Sequence, residues 1–135
     1  MAAWRDLVRF IELEYDVTRR EPDEIRVRLH YGGEDVDDGE RTQIVVVARE
    51  DVEGQEWVQI ATPFARADAV DVTGVLTEIG ATTVVGGAVI MGDYLVLRHS
   101  LPLVNLDINE FTEPLELIAG SAELLEEQFT GDDDY

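Results

Sequence analysis

The sequence predicts an α+β domain in which an antiparallel sheet is covered by helices. Three observations lead there. Apolar residues recur at helical spacing near both ends of the chain. Between Ile25 and Ala61 the apolar period changes to two. Short turns rich in glycine and acid, Gly92-Asp93 among them, separate the apolar runs as hairpin connections do.

Trp4, Leu7, Val8, Ile11 and Tyr15 fall on one side of a 3.6-residue helix. Phe10, Leu13 and Val17 widen that arc, so the helix is expected to touch something besides the sheet: another subunit, or a groove of its own domain. Arg19-Arg20-Glu21 reads as an exposed link ahead of Pro22. In the strand that follows, Ile25, Val27, Leu29 and Tyr31 face one way, with Arg26, Arg28 and His30 facing the other. Gly32 to Glu40 reads as an exposed hairpin connection. Gln43 to Ala48 forms a strand through β-branched Ile44, Val45, Val46 and Val47, whose unbroken run implies more burial than an edge position. A turn from Glu50 to Gly54 leads into a third strand, Glu56 to Ala61, completing a meander.

Beyond Pro63, Ala69, Val72, Leu76 and Ile79 recur at helical spacing within Phe64 to Glu78, and Gly80 is a plausible C-cap. Thr83 to Met91 and Tyr94 to His99 read as a second hairpin, with Gly86 and Gly87 marking a bulge or a close backbone approach. Phe111, Leu115, Ile118, Ala122, Leu125 and Phe129 repeat at four, three, four, three and four residues, the clearest helix in the chain. Asp107 and Glu110 have the spacing of a cap and its reciprocal carboxylate, which puts Pro114 in the second turn unless Thr112 is the cap. The order is α–β–β–β–α–β–β–α, with a single domain over residues 1–130 and an acidic tail at 131–135.

Composition narrows function more than it names it. The 135 residues carry 30 acids against 10 basic residues, every one arginine, for a net charge of -20. A 45% hydrophobic content is globular despite that charge. Lacking cysteine, the chain has no disulfide, thiol nucleophile or thiolate metal site. Strong acidity disfavours direct binding to nucleic acid or anionic membrane. Residues 1–30 are nearly neutral, whereas the remainder holds a local charge of -19. Such asymmetry orients partners or subunits, although a genome-wide preference for arginine and acidic surfaces produces it equally well. No targeting segment or bilayer-length apolar run is visible, so a soluble cytoplasmic chain is expected.

Chemical motifs are sparse. His30 and His99 lie on separate strands without a second histidine at metal spacing, so no metal or cofactor is expected. Glu34 to Glu40 lacks the ligand spacing of a calcium loop. Ser100 adjoins His99, but neighbours in a strand point to opposite faces, and Ser121 sits in a helix. A noncatalytic chain is therefore expected. The alternatives are a ligand-sensing or catalytic site built on His99 and an acid across the sheet, and an acidic electrostatic adaptor or nucleic-acid mimic. The Arg26, Arg28 and His30 stripe suits an acidic peptide, a second subunit or the chain's own glutamates.

GDYLVLRHSLPLVNLDINEF running into LELIAGSAELLEEQF resembles the C-terminal half of the YbjN-like family, which is similar in fold to type III secretion chaperones. The resemblance centres on Gly92 through Leu125, where Arg98, His99, Leu101 and Pro102 match the end of the last strand, with Leu103 and Leu106 at a structural corner. It implies a small cytoplasmic homodimer that binds protein or peptide partners, as secretion chaperones wrap a segment of an effector. Candidate partner-binding residues are Phe10, Leu13, Val17, Arg26, Arg28 and His30. Candidate dimer contacts are Val72 and Leu76 on the second helix and Gly86 and Gly87 in the last hairpin, in keeping with the two-fold dimers common among oligomers.

Overall fold

A computed structural model describes residues 3–31, 41–83 and 85–130. The connection expected at Gly32 to Glu40 and the acidic tail at 131–135 lie outside these residues. In chain order the elements are α1 (Trp4–Glu14), β1 (Asp16–Glu21), β2 (Glu24–Tyr31), β3 (Arg41–Val52), β4 (Gln55–Arg66), α2 (Val72–Thr82), β5 (Gly87–Met91), β6 (Tyr94–Pro102) and α3 (Ile108–Thr130). The α+β class holds. The strands form one antiparallel sheet in the order β1-β2-β3-β4-β6-β5.

One face of the sheet carries the core. Ile25, Val27, Val45, Val47, Val58, Ile60, Leu95 and Leu97 pack there against Trp4, Leu7 and Ile11 of α1, Val75 of α2, and Phe111, Leu115, Ile118, Ala122 and Leu125 of α3. The buried apolar residues of all three helices join this one cluster. Alternation along each strand sends the intervening residues to the other face. Trp4 also donates its indole N–H to the Pro22 carbonyl at 2.9 Å, tying the start of α1 to the β1–β2 turn.

Six strands replace the five expected, and the reason lies in pairing. Val17 does not continue the α1 arc, because the helix stops at Glu14 and the backbone is extended at Tyr15. Val17 instead pairs with Val27, and Arg19-Arg20-Glu21, read as a link, runs along β2 as an edge strand. Backbone bonds to a preformed neighbour outweigh the weak helix preference of Val17 and Thr18.

β4 likewise runs past Pro63 to Arg66, so Phe64 to Arg66 belongs to the sheet and not to a helix. A register shift between Pro63 and Ala65 accommodates the proline, and Phe64 and Ala65 are both fully buried beside it. Here the ladder is reinforced by side chains. Gln43, itself fully buried, donates from Nε2 to the Thr62 hydroxyl at 2.7 Å and to the Pro63 carbonyl at 2.8 Å. The Thr62 hydroxyl in turn donates to the Ile44 carbonyl at 2.8 Å.

α2 starts at Val72 and passes Gly80 to end at Thr82, so Gly80 is not its cap. β5 is shorter than expected and begins only at Gly87. Gly86 precedes it at φ +92°, where an added Cβ would lie 3.1 Å from the Arg98 carbonyl oxygen and 3.3 Å from Ile118 Cδ1. A residue without a side chain is needed to bring the chain down between β6 and α3. β6 continues past His99 to Pro102. In α3 the Asp107 amide donates to Glu110 Oε1 at 3.4 Å, so the helix begins at Ile108 with Pro114 inside it, and Thr112 is not the cap.

Candidate functional site

The face of the sheet left uncovered among the described residues is the most distinctive surface. Arg26, Val46, Ala61, Arg98 and Gly87 stand in register across β2, β3, β4, β6 and β5. Val46, Ala48, Ala61, Pro63, Val96, Met91 and Tyr94 line an apolar hollow of about 310 Å³, with Glu24, Arg26 and Gln59 at its margin. Arg66 stacks over the Tyr94 ring, 5.7 Å from its centroid, while pairing with Asp68 at 3.2 Å. That pairing holds the Asp68 carboxyl below its ordinary range. Arg26 pairs with Glu24 at 3.2 Å, and His30 Nε2 lies 3.0 Å from Asp16 Oδ2. Arg28 and Arg98 make no ion pair among the described residues.

The six partner-binding candidates do not form one surface. Arg26, Arg28 and His30 point from β2 to the uncovered face. Phe10 is half-buried on the helical side, edge-on to Phe111 at 6.5 Å and to Tyr15 at 6.3 Å. Val17 packs against the same core, and Leu13 points to solvent, 78% exposed. Of the dimer candidates, Val72 packs on the core and Leu76 is exposed. The close approach at Gly86 is to this chain's own β6 and α3, while Gly87 is open.

His99 faces the helical side. With Glu110, Glu113, Pro114, Leu117, Val85 and Leu101 it lines a separate hollow of about 360 Å³ beside the start of α3. No ion pair or hydrogen bond joins His99 to either glutamate among the described residues. Nor does any group of three or more histidine, aspartate and glutamate side chains among those residues stand ready to hold a metal.

Two tyrosines give this side a measurable signature. Burial, then the charges of Glu116 and Glu14, push Tyr15 up to about 12 from the phenol value of 10.0. Burial, then Glu123 and Glu116, push Tyr31 to the same height. Tyr31 Oη is buried without a hydrogen-bond partner among the described residues. Between those two pH values the unfolded chain loses its phenolic protons before the folded one does. The stability tied to the neutral rings is therefore complete below pH 10.0 and declines as pH rises toward about 12. A 295 nm titration should show two late-ionising tyrosines, with Tyr15→Phe and Tyr31→Phe each removing one.

Sequence reading missed the apolar hollow. Its signal was present in β3, where apolar residues occupy both faces: Val45 and Val47 are fully buried, while Ile44, Val46 and Ala48 are only half-buried. Among the described residues no helix is long and apolar enough to cross a membrane. No family model, curated protein or solved structure matches the chain.

Proposed function

We propose that this chain is a noncatalytic, chaperone-like protein-binding module that acts as a cytoplasmic homodimer. One observation carries the reading: the two edges of the sheet are treated oppositely. β1 runs Asp-Val-Thr-Arg-Arg-Glu and exposes every residue but Val17, a charged edge that discourages strand addition. β5 runs Gly-Ala-Val-Ile-Met without a charge, and Ile90 and Met91 are 59% and 43% exposed. An unguarded apolar edge offers backbone donors and acceptors to another strand. Two copies related by a two-fold axis satisfy each other's β5 in an antiparallel pair and remove both edges at once.

The YbjN-like resemblance over Gly92 to Leu125 supports the same reading, as does a helix–strands–helix–hairpin–helix order. The additional strand β1 is a departure from the secretion-chaperone arrangement. Light scattering on the wild-type chain should give twice the 15.1 kDa chain mass. Ile90→Lys, at an exposed position, should return the mass to that of one chain with an unchanged circular dichroism spectrum. A wild-type protein that stays monomeric at high micromolar concentration overturns the edge-paired dimer.

A further inference from the structure

We infer that the uncovered sheet face is the docking surface for an amphipathic α-helix of another protein, one whose apolar stripe is flanked by carboxylates. The inference rests on the protein-binding reading above and names the partner's chemistry. Its starting point is a charge anomaly. In a chain with three acids for each base, Arg28 and Arg98 have no acidic partner among the described residues, yet both stand beside an apolar strip. An exposed arginine in such an acidic chain has abundant acids to pair with. Arg28 lines a hollow with Glu14, Asp16 and Glu116 yet makes no ion pair with them, and Arg98 makes none among the described residues either. Both guanidiniums are thereby left available to an outside carboxylate.

The dimensions suit a helix. β2 and β6 are separated by β3 and β4, three strand spacings or about 14 Å. A helix with its side chains is about 10–12 Å across, so it fits between the arginine-bearing strands. Its apolar stripe would rest on Val46, Ala61, Pro63 and Val96, whose modest side chains leave the hollow open. Arg28 and Arg26, the latter exchanging its Glu24 partner, are two residues apart on one strand, about 6.8 Å. Carboxylates at i and i+4 of a helix rise about 6 Å, which matches that step. Arg98 meets the acids on the opposite flank.

A second copy fits this face less well. Two such faces stacked about a two-fold axis through the middle of the face, running along or across the strands, place arginine-bearing strands over arginine-bearing strands. The exposed Leu117 and Leu124 stripe of α3 lies on the other side of the molecule. Docking it here would be head-to-tail and would grow an open chain of copies.

The test uses the full chain and two synthetic 18-residue helical peptides with the same leucine and alanine stripe, one flanked by glutamate and one by lysine. Titrations run in about 0.15 M salt, where charges more than roughly 8 Å apart are screened and the local arginines dominate over the net charge. The glutamate peptide should bind, shift amide resonances of β2, β3, β4 and β6, and lose at least tenfold in affinity against Arg28→Glu with Arg98→Glu. Equal or tighter binding of the lysine peptide overturns the inference, as does indifference to the two arginine changes. So do amide shifts confined to α3 or the β5 edge, or light scattering that grows with concentration through face-to-helix stacking. Running the same titration on the Ile90→Lys chain separates the two ideas. A failed peptide with an intact dimer removes only this face, while a bound peptide with a monomeric wild type removes only the edge pairing.

Discussion

Replacing Phe111 with alanine is expected to destabilise the fold by about 3–5 kcal/mol, the usual cost of emptying a fully buried phenylalanine site. That is a large share of the roughly 5–15 kcal/mol that holds a domain together. Phe111 has no solvent exposure, sits in the first turn of α3, and receives the Phe10 ring edge-on at an interplanar angle of 82°. It therefore joins α1 to α3 through the Phe10 contact. Urea unfolding should show a lower midpoint at an unchanged slope. A Phe10→Ala and Phe111→Ala cycle should add a coupling of about 0.5–1.5 kcal/mol for the ring pair. A loss below about 1 kcal/mol in Phe111→Ala, the level of an ordinary substitution, would mean that the α1–α3 contact is absent.

Gln43→Ala is the second large effect, with an expected cost of about 2–4 kcal/mol from the cavity and from buried groups left without a donor. Gln43 reaches across from β3 where Pro63 has no N–H to give, and both hydrogens of its amide are used, at 2.7 Å and 2.8 Å. Removing it strips the Pro63 carbonyl and the Thr62 hydroxyl of their donor. Gln43→Leu keeps the volume and discards the amide oxygen, which has no partner among the described residues, so it should cost less than alanine. Thr62→Val alone strands one Gln43 hydrogen, whereas combining it with Gln43→Leu removes both polar partners together. The double variant should therefore be more stable than the sum of the singles predicts, because deleting both ends of a buried hydrogen bond is far cheaper than deleting one. Additivity within about 0.5 kcal/mol would show that the two side chains act independently.

Periodicity made some elements plain before any coordinates. The four-three-four-three-four repeat from Phe111 to Phe129 is α3, and the Asp107 and Glu110 spacing correctly marks its start. The alternation from Ile25 to Tyr31 and the β-branched run at Ile44 to Val47 are central strands. Where sequence reading failed, a long-range partner decided a segment of weak local preference. Val17 looked helical until Val27 was beside it, and Phe64 to Arg66 looked like a helix start until β6 paired with it. The candidate site suffered more. Phe10, Leu13, Arg26 and Arg28 were each reasonable surface candidates, but the sheet places the aromatic and aliphatic members on one side and the arginines on the other.

By itself, the sequence determined the class of the domain, the faces of its central strands and the strong excess of acid over base. These follow from side-chain periodicity and from composition, which are local. Only the tertiary structure decided which sheet face the helices cover, that β5 and not β1 presents an unguarded edge, and that Arg28 and Arg98 border an open apolar strip. Two-residue alternation separates the sides of a strand, but β3 is apolar on both. The choice between them belongs to the helices, whose apolar stripes meet in one shared core on one side and leave the other uncovered.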